Sequence, residues 1–121
     1  MVHMSQMFEK NLLIPCLLDV YGGLLSDRKR ELLDYYYDED YSLAEISELT
    51  GISRQGVRDS IKKSSAELLE LEDKLRLYEK KNSISRLIAE SRETVKKLQT
   101  EANVSQVDSL IARLDTIEDL L

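Results

Sequence analysis

The residues best equipped for chemistry in this chain are cationic and amide side chains gathered in one short stretch. Arg54, Gln55, Arg58, Lys62 and Lys63 fall within ten positions, and the segment from Arg54 to Lys63 carries four basic residues against one acid, Asp59. On a helix Arg54 and Arg58 stand about one turn apart, a spacing at which two guanidinium forks can address guanine O6 and N7. Gln55 matches the edge of adenine, and Lys62 or Lys63 suits a phosphate. Catalysis has no comparable set of residues. The only histidine, His3, lies close to the chain start, and no Ser, Cys or acid has a base placed to activate it. One cysteine, Cys16, makes no internal disulfide, and one histidine anchors no zinc site, so neither a metal nor another cofactor is expected and the chain reads as a non-enzyme.

Composition narrows the partners of that cationic stretch. The 121 residues sum to a net charge of −6, so the molecule as a whole repels phosphate and any polyanion contact must be local and salt-sensitive. Glu67, Glu70, Glu72 and Asp73 reverse the sign immediately downstream. Hydrophobic residues make up 42% and charged residues 33%, with one Pro and four Gly, a balance that favours helices over a turn-rich sandwich or a disordered chain. The longest apolar run, Leu12 to Leu18, is too short to span a bilayer and lacks the basic flank of a signal peptide. A cytoplasmic protein with no membrane insertion is the expectation.

The elements that would hold the cationic stretch are marked by capping signals. A first helix is predicted over Glu9 to Tyr21, with Leu12, Leu13, Cys16, Leu17 and Val20 as its apolar face; Pro15 either kinks it or marks a late start. Cys16 reads as a small packing residue. Ser26 caps a second helix from Asp27 to Tyr37 that buries Leu32, Leu33 and Tyr36, and the three tyrosines 35–37 read as packing residues rather than a base-stacking platform. Ser42 and Glu45 form a capping box, with Tyr41 and Ile46 as the staple, for a short third helix that Gly51 ends at Thr50. Ser53 then caps a fourth helix, stapled by Ile52 and Val57.

Two capped helices joined across Gly51 match a helix-turn-helix, whose second helix lays its N-terminal side chains in the major groove. The candidate DNA-binding residues are therefore Ser42, Ser53, Arg54, Gln55, Arg58, Lys62 and Lys63, with Ser42 reaching a phosphate from the first helix of the pair. Gly56 inside the reading helix costs about 1 kcal/mol relative to Ala, so it either marks a close approach or has no role.

Beyond Val57, apolar or small residues recur at Ile61, Ser64, Leu68, Leu71, Leu75 and Tyr78, which predicts a long fourth helix. Its stripe is either an intramolecular core seam or, with the C-terminal helices, half of a homodimer interface. Asn82-Ser83 is the expected interruption. Ile84, Leu87, Ile88, Val95 and Leu98 continue the pattern, and a last helix after Asn103 carries Val107, Leu110, Ile111, Leu114, Ile117 and Leu121, with Ser105 and Asp108 closing its N-terminus.

The segment Leu32 to Lys63, above all Tyr41-Ser42-Leu43-Ala44-Glu45-Ile46-Ser47 and Gly51-Ile52-Ser53-Arg54-Gln55-Gly56-Val57, resembles the helix-turn-helix of bacterial sigma factors that reads the −35 promoter element. A closer resemblance is to the YlxM family of small helix-turn-helix proteins, carried by Leu25-Ser26-Asp27-Arg28-Lys29-Arg30, the Tyr-rich helix, Asp40 to Leu43 and Ser53 to Gln55. The resemblance covers about residues 10 to 80. It implies an all-helical, cytoplasmic bacterial protein that binds DNA and takes part in, or regulates, the signal recognition particle pathway. Ser47 and Gly56 stand where the pattern has Ala, and Arg58 where the family tends to an aromatic residue.

The resulting expectation is an all-α fold: a trihelical, sigma-factor-like helix-turn-helix module without a wing over residues 1–63, then a long helix and helical extension over 64–121. Double-stranded DNA is the expected partner in transcription regulation. The alternative is a non-catalytic adaptor that binds signal recognition particle protein or RNA.

Overall fold

In the computed structural model, which describes residues 10–121, the chain is helical throughout. The helices are α1 (Leu13–Tyr21), α2 (Asp27–Leu33), α3 (Leu43–Thr50), α4 (Arg54–Leu75), α5 (Leu77–Lys97) and α6 (Val104–Asp119). A 3-10 turn at Gly22–Leu24 follows α1, and a π-helical turn at Asp34–Asp38 extends α2. Two compact units divide between Tyr78 and Glu79. The boundary expected between residues 63 and 64 falls inside α4, whose buried stripe continues to Leu68 and ties that helix to the first unit.

The start of α1 settles the role of Pro15. Asn11 receives the Leu13 N–H on its side chain and the Ile14 N–H on its carbonyl, both at 2.9 Å, so the helix begins four residues after Glu9, which lies outside the described residues, as does His3. Pro15 then sits in the first turn, where a missing N–H leaves no intrahelical bond unmade. The buried face also differs from the expected one: it consists of Ile14, Leu17, Leu18 and Tyr21, while Leu12 and Leu13 are exposed and Cys16 and Val20 half-buried. Leu13, Cys16, Leu17 and Val20 have the same spacing as Ile14, Leu17, Leu18 and Tyr21, so the helical repeat does not separate the two faces; packing against α4 selects the second.

The first unit is assembled on α4. Val57, Ile61, Ser64 and Leu68 are fully buried along one side of it, and α1, α2 and α3 all pack there. The stripe is thus a core seam within the chain. Leu71 and Tyr78 pack at its edge, whereas Leu75 has turned into solvent. Leu32, Leu33 and Tyr36 are buried as expected. Tyr35 stacks on Tyr41 at 5.6 Å and Tyr37 meets Tyr36 edge-on at 5.1 Å, so the tyrosines pack on one another and on the core. Lys10 tethers this corner: its ammonium reaches the Tyr36 carbonyl at 2.9 Å and Asp40 at 2.6 Å and lies 4.4 Å over the Tyr36 ring. That contact holds the Asp40 carboxyl below its ordinary pKa.

The helical run does not break at Asn82-Ser83, which lie inside α5. It breaks at Arg76, whose φ of +57° is left-handed and whose N–H bonds to the Glu72 carbonyl at 2.9 Å. The cause comes from α1. The buried Tyr21 hydroxyl accepts the Leu77 N–H at 3.1 Å and donates to Glu72 Oε1 at 2.6 Å, and that oxygen also accepts the Tyr78 N–H at 3.0 Å. Two of the orphan donors that open α5 are therefore satisfied by Tyr21 and Glu72 rather than by a local Ser or Asp. Burial, then the Glu72 carboxylate, raises the Tyr21 pKa.

In the second unit, Asn103 organises the turn into α6. Its Oδ1 accepts the Thr100 N–H at 2.6 Å and its Nδ2 donates to the Leu98 carbonyl at 2.9 Å. The helix starts at Val104, so Ser105 and Asp108 lie within it and do not form the expected cap.

Two stability measurements follow. Tyr21→Phe leaves the Leu77 N–H without its acceptor and Glu72 without the hydroxyl donor and should cost about 1–3 kcal/mol in urea unfolding, with faster amide exchange at Leu77 and Tyr78; an unchanged midpoint would remove Tyr21 from its capping role. Asp34 has its pKa raised by burial and then by Asp38, one turn on. The folded state therefore holds that proton more tightly than the unfolded chain, and stability present at low pH is lost as pH rises through the raised value. Asp34→Asn should be more stable than the parent at pH 7 by about 0.5 kcal/mol, with the gain vanishing below about pH 4.

Candidate nucleic-acid interface

The turn between α3 and α4 is closed by side-chain oxygens at each step. Ser42 Oγ accepts the Glu45 N–H at 3.0 Å while Glu45 Oε1 accepts the Ser42 N–H at 2.9 Å, completing the predicted capping box. Gly51 takes φ +77°, and its N–H reaches the Ser47 carbonyl at 2.9 Å. Ser53 Oγ accepts the Gly56 N–H at 3.0 Å and starts α4. Three further hydrogen bonds were not legible in the sequence motif: Ser47 Oγ donates to the Ile52 carbonyl at 2.5 Å, and Thr50 Oγ1 donates to the Ile46 carbonyl at 2.8 Å while accepting the Ile52 N–H at 3.3 Å. Ser47, which stands where the pattern has Ala, thus bolts α3 to the approach of α4.

Gly56 has a packing reason. A Cβ there would stand 2.9 Å from Ile52 Cγ2 and 3.1 Å from Ser53 Oγ. The close neighbours are the staple and cap side chains, and the Cγ2 of a β-branched residue yields poorly.

With Val57 and Ile61 fully buried, the opposite side of α4 is open. Gln55, Lys62 and Lys63 are exposed there, and Arg54 is exposed at the first residue of the helix, ahead of the buried stripe. Among the described residues Arg54, Lys62 and Lys63 make no ion pair or side-chain hydrogen bond, so three cationic heads are available to an anion. Ser53 lies at the N-terminus of the same helix; Ser42 belongs to α3. Both serine oxygens accept a capping bond, and each hydroxyl hydrogen remains a donor.

Arg58 departs from its expected place beside Arg54. Its side chain is 23% exposed, its Nε is buried without a hydrogen-bond partner, and its Nη1 lies 3.8 Å from Asp59 Oδ1. At about 100° per residue Arg58 falls only about 60° from Ile61, close enough to the buried face for its stem to lie against protein. Asp59 is the more outward residue, and it takes the Gln55 Nε2–H at 2.8 Å. The outer ridge is therefore Arg54, Gln55 with Asp59, Lys62 and Lys63.

Among the described residues no group of His, Cys, Asp and Glu is arranged to hold a metal ion, and no helix is long and apolar enough to cross a membrane.

Comparison with known proteins agrees with this geometry. The sequence profile described as "Putative helix-turn-helix protein, YlxM / p13 like" matches residues 8–108. A UPF0122 protein of Clostridium kluyveri is 49% identical over 76 residues, covering 63% of this chain and 68% of its own length. UPF0122 proteins of Shouchella clausii and Halalkalibacterium halodurans are each 38% identical over 112 residues, covering 93% of this chain and the whole of their own. With two stapled helices about Gly51 and the match running through α5 into the first turn of α6, the chain belongs to the YlxM/p13-like family of helix-turn-helix proteins, UPF0122.

Proposed function

We propose that this protein binds double-stranded DNA in a sequence-selective way through the first three turns of α4 and thereby regulates transcription in the bacterial cytoplasm. The observation that carries the reading is the three exposed, unpaired cations Arg54, Lys62 and Lys63 on the first turns of a helix whose Val57–Ile61 side is locked into the core. Arg54, at the N-terminal end, is the base reader, with a guanidinium suited to guanine O6 and N7. Gln55 offers its amide beside it, steadied by Asp59. Lys62 and Lys63 meet phosphate two turns further on, and Ser42 and Ser53 donate to the backbone from the helix N-termini. Arg58 acts mainly as a packing residue whose guanidinium adds charge at the rim.

The test is a mobility-shift series over a range of salt, with a duplex selected from a random-sequence pool, an unrelated duplex, and signal recognition particle RNA as the competing ligand. Arg54→Ala should weaken the selected duplex by about 1–3 kcal/mol and the unrelated one far less. Lys62→Ala or Lys63→Ala should weaken both alike and lower the salt slope by about one. Equal loss on every duplex with Arg54→Ala rejects base readout. Binding to the RNA with no duplex binding at low salt replaces this reading with the adaptor role. Arg58→Met removes a buried unsatisfied nitrogen and should raise the urea midpoint or leave it unchanged, since such a group costs about 1–3 kcal/mol; a marked loss of stability would show that the guanidinium is structurally required.

A further inference from the structure

The second unit, residues 79–121, lies at the size where a chain rarely closes a core alone. Among its apolar side chains Ile88 and Val107 are buried, whereas Leu87, Leu98, Leu110 and Ile117 are 58%, 64%, 40% and 45% exposed. Its two helices form an antiparallel hairpin: Arg92 Nη2 reaches Asp115 at 2.7 Å and Glu118 at 3.2 Å, and Asn103 holds the turn.

The exposed residues share one face. At about 100° per residue, Leu87, Ser91 and Leu98 lie between about 100° and 140° behind Arg92 on α5. On α6, Leu110, Ile117 and Leu121 lie between about 90° and 130° behind the mean direction of Asp115 and Glu118. Equal offsets of the same sense on antiparallel helices point to the same side of the hairpin. One side is therefore a continuous apolar strip that the hairpin itself leaves uncovered.

We propose that this strip is covered by the same strip of a second copy of this chain, giving a four-helix bundle. Two pairings are open to a two-fold dimer of hairpins: like helix on like, or α5 of one copy on α6 of the other. Charge selects the second. Helix α5 has six basic residues against three acids, while α6 has one basic residue against four acids. Every neighbouring pair is antiparallel in either arrangement, the usual one in such bundles, but stacking α5 on α5 sets like charges together, whereas α5 on the partner's α6 sets opposite charges together. In this packing Ser91 of one copy lies level with Ile117 of the other, since Arg92 is level with Asp115 and Glu118 in the hairpin. The inference does not depend on nucleic-acid binding.

Sedimentation equilibrium on the full chain should give twice the chain mass at about 100 µM, and Leu87→Glu with Ile117→Glu should weaken association at least about 100-fold with the helical circular dichroism intact. A single-chain mass at that concentration, or a dimer untouched by the two glutamates, overturns the proposal. Disulfide mixing on a Cys16→Ser background tests the pairing without disturbing the fold. Ser91→Cys mixed with Ile117→Cys should cross-link efficiently while neither does so alone; Ser91→Cys cross-linking to itself would put α5 on α5 and overturn the assigned pairing.

Discussion

The first unit depends on four positions of one helix. Val57, Ile61, Ser64 and Leu68 form a nearly solvent-free line on α4, and every other helix of the unit is placed by packing on it. A helix used in this way has its rotation fixed about its own axis. Once Val57 and Ile61 face inward, Arg54, Gln55 and Lys62 have little freedom in where they project, because successive residues turn by about 100°. The same rotation that completes the core therefore sets the direction of the cationic edge. Ser64 is the small member of the line, with its hydroxyl buried and unpaired. A larger apolar residue there would push against the packed helices, and overpacking of this kind commonly costs about 1–3 kcal/mol.

How much of this was legible in the sequence divides along the distance between cause and effect. The capping box at Ser42 and Glu45, the left-handed Gly51 and the cap at Ser53 involve residues within four positions of one another, and all appear as read. The break between α4 and α5 does not, because its cause lies on α1: Tyr21 must be brought across the fold to Glu72 before Leu77 gains an acceptor. Arg76 gives no local sign of adopting a positive φ, and Asn82-Ser83, which does look like an interruption, is carried through as ordinary helix. The face of α1 was misplaced for a related reason. Leu12 and Leu13 are as apolar as Leu17 and Leu18, and only packing against α4 decides which four are inward.

The candidate interface was legible in location and less so in detail. Its boundaries follow from caps, but Arg58 lies where stripe and ridge meet, and a wheel angle alone leaves its long stem free to go either way. The structure takes it inward far enough to bury Nε, so the two arginines, alike in sequence, have different surroundings. Asp59 has the opposite history: an acid inside a basic segment looks like a blemish, yet it restrains the neighbouring amide.

The distribution of charge along α4 limits how a duplex could lie against it. The first ten residues span about 15 Å of helix, and beyond them Glu67, Glu70, Glu72 and Asp73 would face any phosphate that followed the axis further. Two of these acids are held by protein: Lys29 takes Glu67 at 2.9 Å, and Tyr21 takes Glu72 at 2.6 Å. Neither contact makes the region attractive to an anion, since Glu70 and Asp73 remain at the surface and Glu70 is paired only with the exposed Lys74. The helix is thus polar along its length in the electrostatic sense, cationic at the end that the turn presents and anionic at the end that the Tyr21 cap closes. A polyanion approaching this helix is admitted at one end and turned away from the other, so even on a protein of net charge −6 the helix could orient an anionic ligand.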